Sequence, residues 1–327
     1  MKNFIKYGPL KVLIKDLRYF RDCLSYLLMS GGSKNEPEIR FDIPGLSPNF
    51  DRPVCLFCSY EKENIVRKNV YFYLNELKRA GFDIIFISTS DVMSNEDLEK
   101  LSRYCIRIIN RENKGYDFYG WRTGLEKYPQ YRSHTGLLLA NDSVVGPLFD
   151  IRNIIARLEN FDADIIGMTN CFHFYPHLQS YFLYCKKPVI LSEEFARFFR
   201  NIDILELKSA IIRKYEVGFS RFFSQRFRIA ALYDLESILI QIDYHKKPIR
   251  CVEPTFHLWK PLITELKFPF LKKSIVTRMG VRIEEILEVF AENSTYNSDI
   301  LSDLIVPSIH TTVPDQARIH HPISKIS

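Results

Sequence analysis

An apolar run, Leu137-Leu138-Leu139-Ala140, stops abruptly at Asn141-Asp142-Ser143. A buried strand that ends in small polar groups delivers those groups to one edge of a sheet. Asp142 is the one acid of the three. Hard divalent cations such as Mg²⁺ or Mn²⁺ take oxygen ligands, and one carboxylate plus diphosphate oxygens suffices. One helix upstream, Asn113-Lys114-Gly115-Tyr116-Asp117 offers a glycine turn opening a helix. Backbone N–H groups there can meet phosphate, and Asp117 can accept from a base or ribose hydroxyl. The segment matches neither the P-loop nor the G-x-G-x-x-G pattern, which disfavours ATP-type and dinucleotide-type cradles. Either stretch by itself also fits an ordinary polar turn.

Other residues carry candidate chemistry. The stretch from Phe174 to Cys185 mixes aromatic rings with His177, Gln179 and Tyr181, types that meet the C–H and O–H groups of a sugar. A hairpin with alternating core positions Leu178, Ser180 and Phe182 accounts for the same residues. His257, in EPTFHLWKP, is a candidate metal or phosphate ligand, although a lone histidine also serves structure. The pair His320-His321 has no third ligand nearby and reads as tail. Cys55 and Cys58 form a C-x-x-C inside an apolar, strand-like run, whereas a redox dithiol opens a helix. The 7 cysteines are odd in number and scattered, as expected of reduced thiols in a cytosolic protein.

The elements that must position these residues follow a rhythm. VCLFCSY, FDIIFISTS, CIRIINRE and GLLLAND read as buried strands. Between them lie ENIVRKNVYFYLNELKRAG, SNEDLEKLSRY (capped by Ser94, with Asp97 as the matching acid) and DFYGWRTGLEKY, all helical. Strands alternating with helices predict an α/β fold: a mostly parallel sheet sandwiched by helices. Ligands of such sheets bind at the carboxyl ends of the strands. Ser59-Tyr60, Ser88 to Asp91, Asn113 to Asp117 and Asn141 to Ser143 all fall there. A further helix, a strand (DIIGMTN), an edge hairpin over HLQSYFLYCKKPVIL, and helices near 193–213 and 218–227 are expected after Asp150.

Three regions are expected: an amphipathic helix and linker over 1–50, the α/β domain over 51–275, and a helical or irregular extension over 276–327. Leu10, Leu13, Ile14, Leu17, Phe20 and Leu24 recur at helical spacing opposite Lys11, Lys15, Arg18 and Arg21. That pattern fits contact with an anionic membrane surface, but such helices more often pack on their own domain or on a partner subunit. The 327 residues are 46% apolar and 26% charged, enough for a substantial core. A net charge of +6 suits anionic small substrates but supplies no basic stripe for nucleic acid. No apolar run of about 18 residues suggests a membrane span, and Lys11, Lys15 and Asp16 interrupt any leader-like stretch. A cytoplasmic protein, peripheral at most to the inner membrane face, is expected.

Taken together, VCLFCSYEKENIVRKNVYFYLNELKRAGFDIIFIST, ENKGYDFYGW, LLLANDSVVGPL, YPHLQSYFL, YEVGFS and EPTFHLWKPLI resemble the rhamnan synthesis protein F family of bacterial polysaccharide glycosyltransferases. The resemblance is collinear from about residue 53 to 275, and NKGYDF, NDSVVGP and HLQSYF are its most specific parts. Beneath it lies a weaker similarity to family 2 inverting glycosyltransferases of the GT-A fold. The resemblance implies that Asn113, Lys114, Gly115 and Asp117, with Ser59, Tyr60 and Asp91, line a nucleotide pocket. It sets Asn141-Asp142-Ser143 at a metal-binding D-x-D position, where the middle residue alone is acidic. It implies Glu216 as general base, with Val217 in place of a second acid. His177, Gln179 and Tyr181 would face acceptor or donor sugar, and Asp142 with His257 would hold Mn²⁺ or Mg²⁺.

The expected activity is therefore transfer of a sugar, rhamnose among the candidates, from a nucleotide diphosphate to a hydroxyl of a lipid-linked glycan of O-antigen or rhamnan type. A non-catalytic glycan-binding scaffold with a degenerate GT-A domain is the alternative, and a nucleotidyltransferase also fits a site at strand ends.

Overall fold

The computed structural model describes Leu17, Arg21 and residues 36–304 apart from Glu206, Met279 and Gly280. The expected N-terminal amphipathic helix, apart from Leu17 and Arg21, and His320-His321 lie outside the described residues.

A 9-stranded sheet forms the centre, with its main path in the order β1-β4-β3-β2-β5-β9-β7-β10. Its members are β1 (Ile39–Pro44), β2 (Val54–Ser59), β3 (Asp83–Ser88), β4 (Arg107–Arg111), β5 (Gly136–Asn141), β7 (Ile165–Cys171), β8 (His177–Leu178), β9 (Phe182–Lys186) and β10 (Ile229–Tyr233). The short β6 (Val144–Val145) pairs instead with β11 (Leu271–Lys272). Strands β2, β3, β4, β5, β7 and β10 run one way, and β1, β8 and β9 run the other. The sheet is thus mostly parallel, as the alternation of elements predicts.

Helices α1 (Lys68–Arg79), α2 (Asn95–Ser102), α3 (Tyr116–Lys127) and α4 (Ile151–Asn160) cover the faces. Strand β2, VCLFCS, shows the logic of the sandwich. Every residue is buried, and alternate side chains enter opposite layers. Cys55 and Phe57 pack among Val70, Leu74 and Leu77 of α1, while Leu56 and Cys58 pack among Phe118, Trp121 and Leu125 of α3. The two cysteines of the C-x-x-C therefore point to opposite faces of one strand. Burial pushes both thiols up in pKa, which suits core residues and disfavours a redox pair. On α2, the Ser94 cap forms as expected, its hydroxyl accepting from the Asp97 amide at 3.0 Å.

Three sequence expectations need correction. The linker expected within 1–50 contains β1, which adds an antiparallel edge to β4. The hairpin assigned to an edge is not one: β9 lies between β5 and β7, antiparallel to both, and is buried over Phe182–Cys185. The run RIAALYD, given no element, forms β10 parallel to β7. Beyond β11 come helices Lys273–Arg278, Ile283–Asn293 and Ser298–Ser302, whose Ile275, Ile286, Val289 and Phe290 pack on Val145, Leu148, Ile263 and Leu271.

Candidate functional site

The order of the central strands sets the site. From β2 the chain moves outward to β3 and β4, then returns to place β5 on β2's other side. In open α/β sheets this reversal opens a crevice beyond the carboxyl ends of the two strands. Ser59 ends β2, and Asp142 follows β5 directly. The Ser59 hydroxyl donates to Asp142 Oδ2 at 3.0 Å, the Tyr60 amide approaches the same oxygen at 3.4 Å, and the Asp142 amide donates to the Cys58 carbonyl at 3.1 Å. Lys273 Nζ stands 3.7 Å from Asp142 Oδ2 and 3.5 Å from Glu61.

Strand β4 ends at Arg111, and the Asn113-Lys114-Gly115 turn leads into α3. Arg111 is wholly buried. Its guanidinium donates to the carbonyls of Glu112, Lys114 and Tyr116 at 2.9, 2.6 and 2.8 Å. Those bonds pull the carbonyl side of the turn inward. Gly115 and Tyr116 both have positive φ, 74° and 54°. Glycine adopts this conformation freely, whereas Tyr116 is strained there, a feature that clusters at functional sites. Helix α3 then lies against the sheet through glycines: a Cβ at Gly120 would sit 2.6 Å from Cys58 Sγ, and one at Gly124 2.5 Å from Leu56.

The turn and the ends of β2 and β3 enclose a cavity of about 330 Å³, lined by Ser59, Tyr60, Thr89, Arg111, Asn113 to Asp117 and Cys58. A second cavity, of about 230 Å³, opens on the other side of Asp117. Tyr116 and Asp117 line both. The second is formed by Asn141 and Ser143, by His173, His177, Gln179, Ser180 and Tyr181 around β8, by Lys208, Ile211, Ile212 and Glu216, and by Glu253 and Lys272.

Asp117 in the shared wall feels the charge of a second carboxylate, Asp142, which itself lines neither cavity. Asp117 accepts from Asn141 Nδ2 at 3.0 Å. Burial, and then the charge of Asp142, push the Asp117 carboxyl up to about 7, with Arg111 pulling the other way. Burial also raises Asp142, against Lys273 and Ser59. Asn141 and Ser143 fold onto each other, the Ser143 hydroxyl and amide donating to Asn141 Oδ1 at 2.6 and 3.1 Å. Two neighbouring carboxylates of raised pKa fit a hard divalent cation whose remaining ligands are phosphate oxygens and water. No cluster of three or more His, Cys, Asp or Glu side chains suited to a metal occurs among the described residues.

Glu216 lies in a run of π-helical turns, Ile212–Val217, between helices Lys208–Ile211 and Gly218–Phe223. Such widened turns re-aim side chains and recur at functional sites. Glu216 Oε2 accepts from Ser180 at 3.2 Å, and Oε1 stands 3.7 Å from His177 Nε2. His177 Nδ1 pairs with the Tyr175 carbonyl at 2.6 Å. A carbonyl only accepts, so Nδ1 carries a proton and Nε2 is the ring nitrogen that faces Glu216.

The structure brings most of the expected residues together; Asp142 lines neither cavity but accepts from Ser59 beside the first, and two others stand apart. Asp91 lines neither cavity: its carboxylate is 76% exposed and pairs with Arg40 at 3.1 Å. His257 also lines neither; its Nδ1 accepts the Glu253 amide at 2.8 Å within a short helix. Gln179 and Tyr181 line the second cavity with their polar atoms already engaged. Gln179 Nε2 donates to Glu253 at 2.5 Å, while Thr169 donates to Gln179 Oε1 at 2.7 Å and accepts from Tyr181 at 2.6 Å. Sequence reasoning missed Arg111, Lys208, Glu253, Lys272 and Lys273. Burial raises the Glu253 carboxyl, but Lys272 (3.3 Å), Thr255 (2.7 Å) and Gln179 outweigh it and hold the group below its ordinary value. The proximity of FPFLKKS to the EPTFHLWKP motif was the available signal for the lysines.

Comparison with known proteins gives the chain its kin. The uncharacterized protein y4gN of Sinorhizobium fredii is 32% identical over 178 residues, 53% of this chain and 46% of that protein. The chain thus spans about half the length of this curated relative. Virulence protein VirA of Vibrio anguillarum is 28% identical over 252 residues, 69% of this chain and 79% of that protein. Among solved structures, the glycosyltransferase GlyE of Streptococcus pneumoniae aligns with a TM-score of 0.39 at 12% identity, covering 77% of this chain and 62% of its own. The bifunctional glycosyltransferase WbbM gives a TM-score of 0.38 at 12% identity, covering 79% of this chain and 53% of its own. The family profile described as Rhamnan synthesis protein F matches residues 84–318, well over half of the sequence, and the chain belongs to that family.

Proposed function

We propose that the protein is a glycosyltransferase that moves a sugar from a nucleotide diphosphate to a hydroxyl of a growing cell-surface polysaccharide, with rhamnose the first sugar to try. The observation that carries this reading is the meeting of two cavities at Asp117, one built on a phosphate-type turn at the sheet's switch point, the other holding Glu216. A nucleotide-sugar donor fits the first, with its transferable sugar reaching past Asp117 toward the second, where the acceptor enters.

In this reading Glu216 takes the proton of the acceptor hydroxyl as that oxygen bonds to the anomeric carbon and the bond to the diphosphate breaks. His177 stands beside it, its Nε2 3.7 Å from the carboxyl, and helps to position that group. Lys273, beside Asp142, and Lys208, in the wall of the second cavity, balance the negative charge of the departing diphosphate. A divalent cation held by Asp142 and Asp117, when bound, would add to that charge stabilisation. A second reading, a glycan-binding scaffold without catalysis, is favoured by one feature: Asn141 and Ser143 are bonded to each other where acids would serve a metal better.

A panel of nucleotide sugars (dTDP-rhamnose, GDP-rhamnose and UDP-hexoses) with Mn²⁺ or Mg²⁺ decides between the two. One donor is expected to raise the melting temperature and to be hydrolysed slowly. Asp142→Ala should abolish that stabilisation. Glu216→Gln should bind the donor normally and lose turnover by about 10²- to 10⁴-fold, the usual worth of a positioned base. Absence of any nucleotide-sugar effect on wild-type melting would favour the scaffold.

A further inference from the structure

Five large aromatic side chains are exposed among the described residues: Phe50, Tyr60, Tyr116, Phe174 and Tyr175. Tyr60 and Tyr116 line the first cavity. Phe174 and Tyr175 stand in the loop from β7 to β8, at the rim of the second, and no step described above uses them. We propose that Tyr175 and Arg221, braced by Phe174 and Arg213, form a platform for sugar units of the acceptor chain beyond the one in the cavity. The proposal rests on the reading of that cavity as the acceptor side.

The loop is built to hold these rings still. Phe174 has φ +73°, a strained conformation that a bulky residue keeps only where its surroundings fix it. Its ring lies 3.8 Å from that of His173 and 5.3 Å from the Arg213 guanidinium. Tyr175 has Arg221 over its ring at 5.1 Å and remains 50% exposed.

The position is continuous with the site. The Tyr175 carbonyl holds His177, which faces Glu216. Arg213 and Arg221 flank Glu216 on the segment that walls the cavity. A chain whose terminal hydroxyl meets Glu216 therefore leaves the cavity across this rim. A rigid aromatic face matches the C–H face of a pyranose ring, and a planar guanidinium donates to its hydroxyls. Aromatic and arginine side chains also suit a membrane headgroup layer, which makes lipid the competing occupant.

The test compares methyl rhamnoside with long rhamnan fragments as acceptors, in transfer and in calorimetric binding without donor. Tyr175→Ala and Arg221→Ala should each lower kcat/KM for long fragments about five- to tenfold, the worth of one aromatic contact, and leave methyl rhamnoside unchanged. Tyr175→Phe should retain the long-fragment rate. Equal losses for both acceptors would show a merely structural role and overturn the platform, as would no loss for either. Loss of binding to phosphatidylglycerol vesicles with intact long-fragment kinetics would assign the rim to lipid instead. If wild type binds long fragments in a Tyr175-dependent way yet turns over no nucleotide sugar, the platform stands and the transferase reading falls.

Discussion

Asp117 is buried within reach of the charge of Asp142, a place that holds a bare anion poorly. Asp117 is pushed to about 7 in the folded protein, against an ordinary aspartate value near 3.9 in the unfolded chain. Between roughly pH 4 and 7 the folded state keeps a proton that the unfolded chain has released, so stability falls as pH rises through that window. Asp117→Asn removes the titration. Its melting temperature should vary less between about pH 5 and 8 than that of wild type, and at pH 8 it should lie a few degrees higher. Parallel wild-type and variant curves would mean that Asp117 is not the group held protonated. Asp117 was legible in the sequence because a glycine turn announced it. Its acidity was not, since it depends on Asp142 being brought close and on Arg111, a basic residue that reads as the polar end of a strand.

At the scale of elements, the phosphate-type turn depends on how closely α3 lies on β2. Gly120 and Gly124, one helical turn apart, make that approach possible. A methyl group at Gly120 would press on Cys58 Sγ, and overpacking of this kind costs about 1–3 kcal/mol. Gly120→Ala should destabilise the protein by that amount in denaturant unfolding. Adding Cys58→Ala removes the clashing sulfur, so the double variant should be more stable than the sum of the two singles predicts. Strict additivity would show that the contact is relaxed by helix movement. The strands β2 to β5 and their helices were readable because each strand is a continuous apolar run closed by polar residues. The place of β9 was not, because period and polarity report burial and leave strand order open; a central antiparallel strand and a sheltered edge look alike. β1 was hidden by Pro and Gly at its flanks, and β10 by its shortness and by the two alanines at its centre.

The whole molecule ties its last helices to the site through one short pairing. β11 pairs with β6, immediately after Asp142, and the Lys273 amide donates to the Ser143 carbonyl at 2.8 Å. That is how Lys272 and Lys273, more than a hundred residues from Asp142 in sequence, come to stand beside the two cavities. The pairing is held from behind by the cluster of Leu271, Ile275, Ile286, Val289 and Phe290. Further along, Arg67 donates to the Asp303 carbonyl at 2.9 Å, which pins the end of this layer to the start of α1. Phe290 is 2% exposed, and removing a buried Phe ring costs about 3–5 kcal/mol. Phe290→Ala should therefore lower the unfolding free energy by that order. If the lysines depend on this layer, the variant should also weaken nucleoside diphosphate binding below its melting temperature, although Phe290 lines neither cavity. A variant that melts earlier yet binds nucleoside diphosphate as wild type does would show that β6 and β11 stay paired without the layer behind them. The charge over Asp142 would then be set locally, by the strand pair itself.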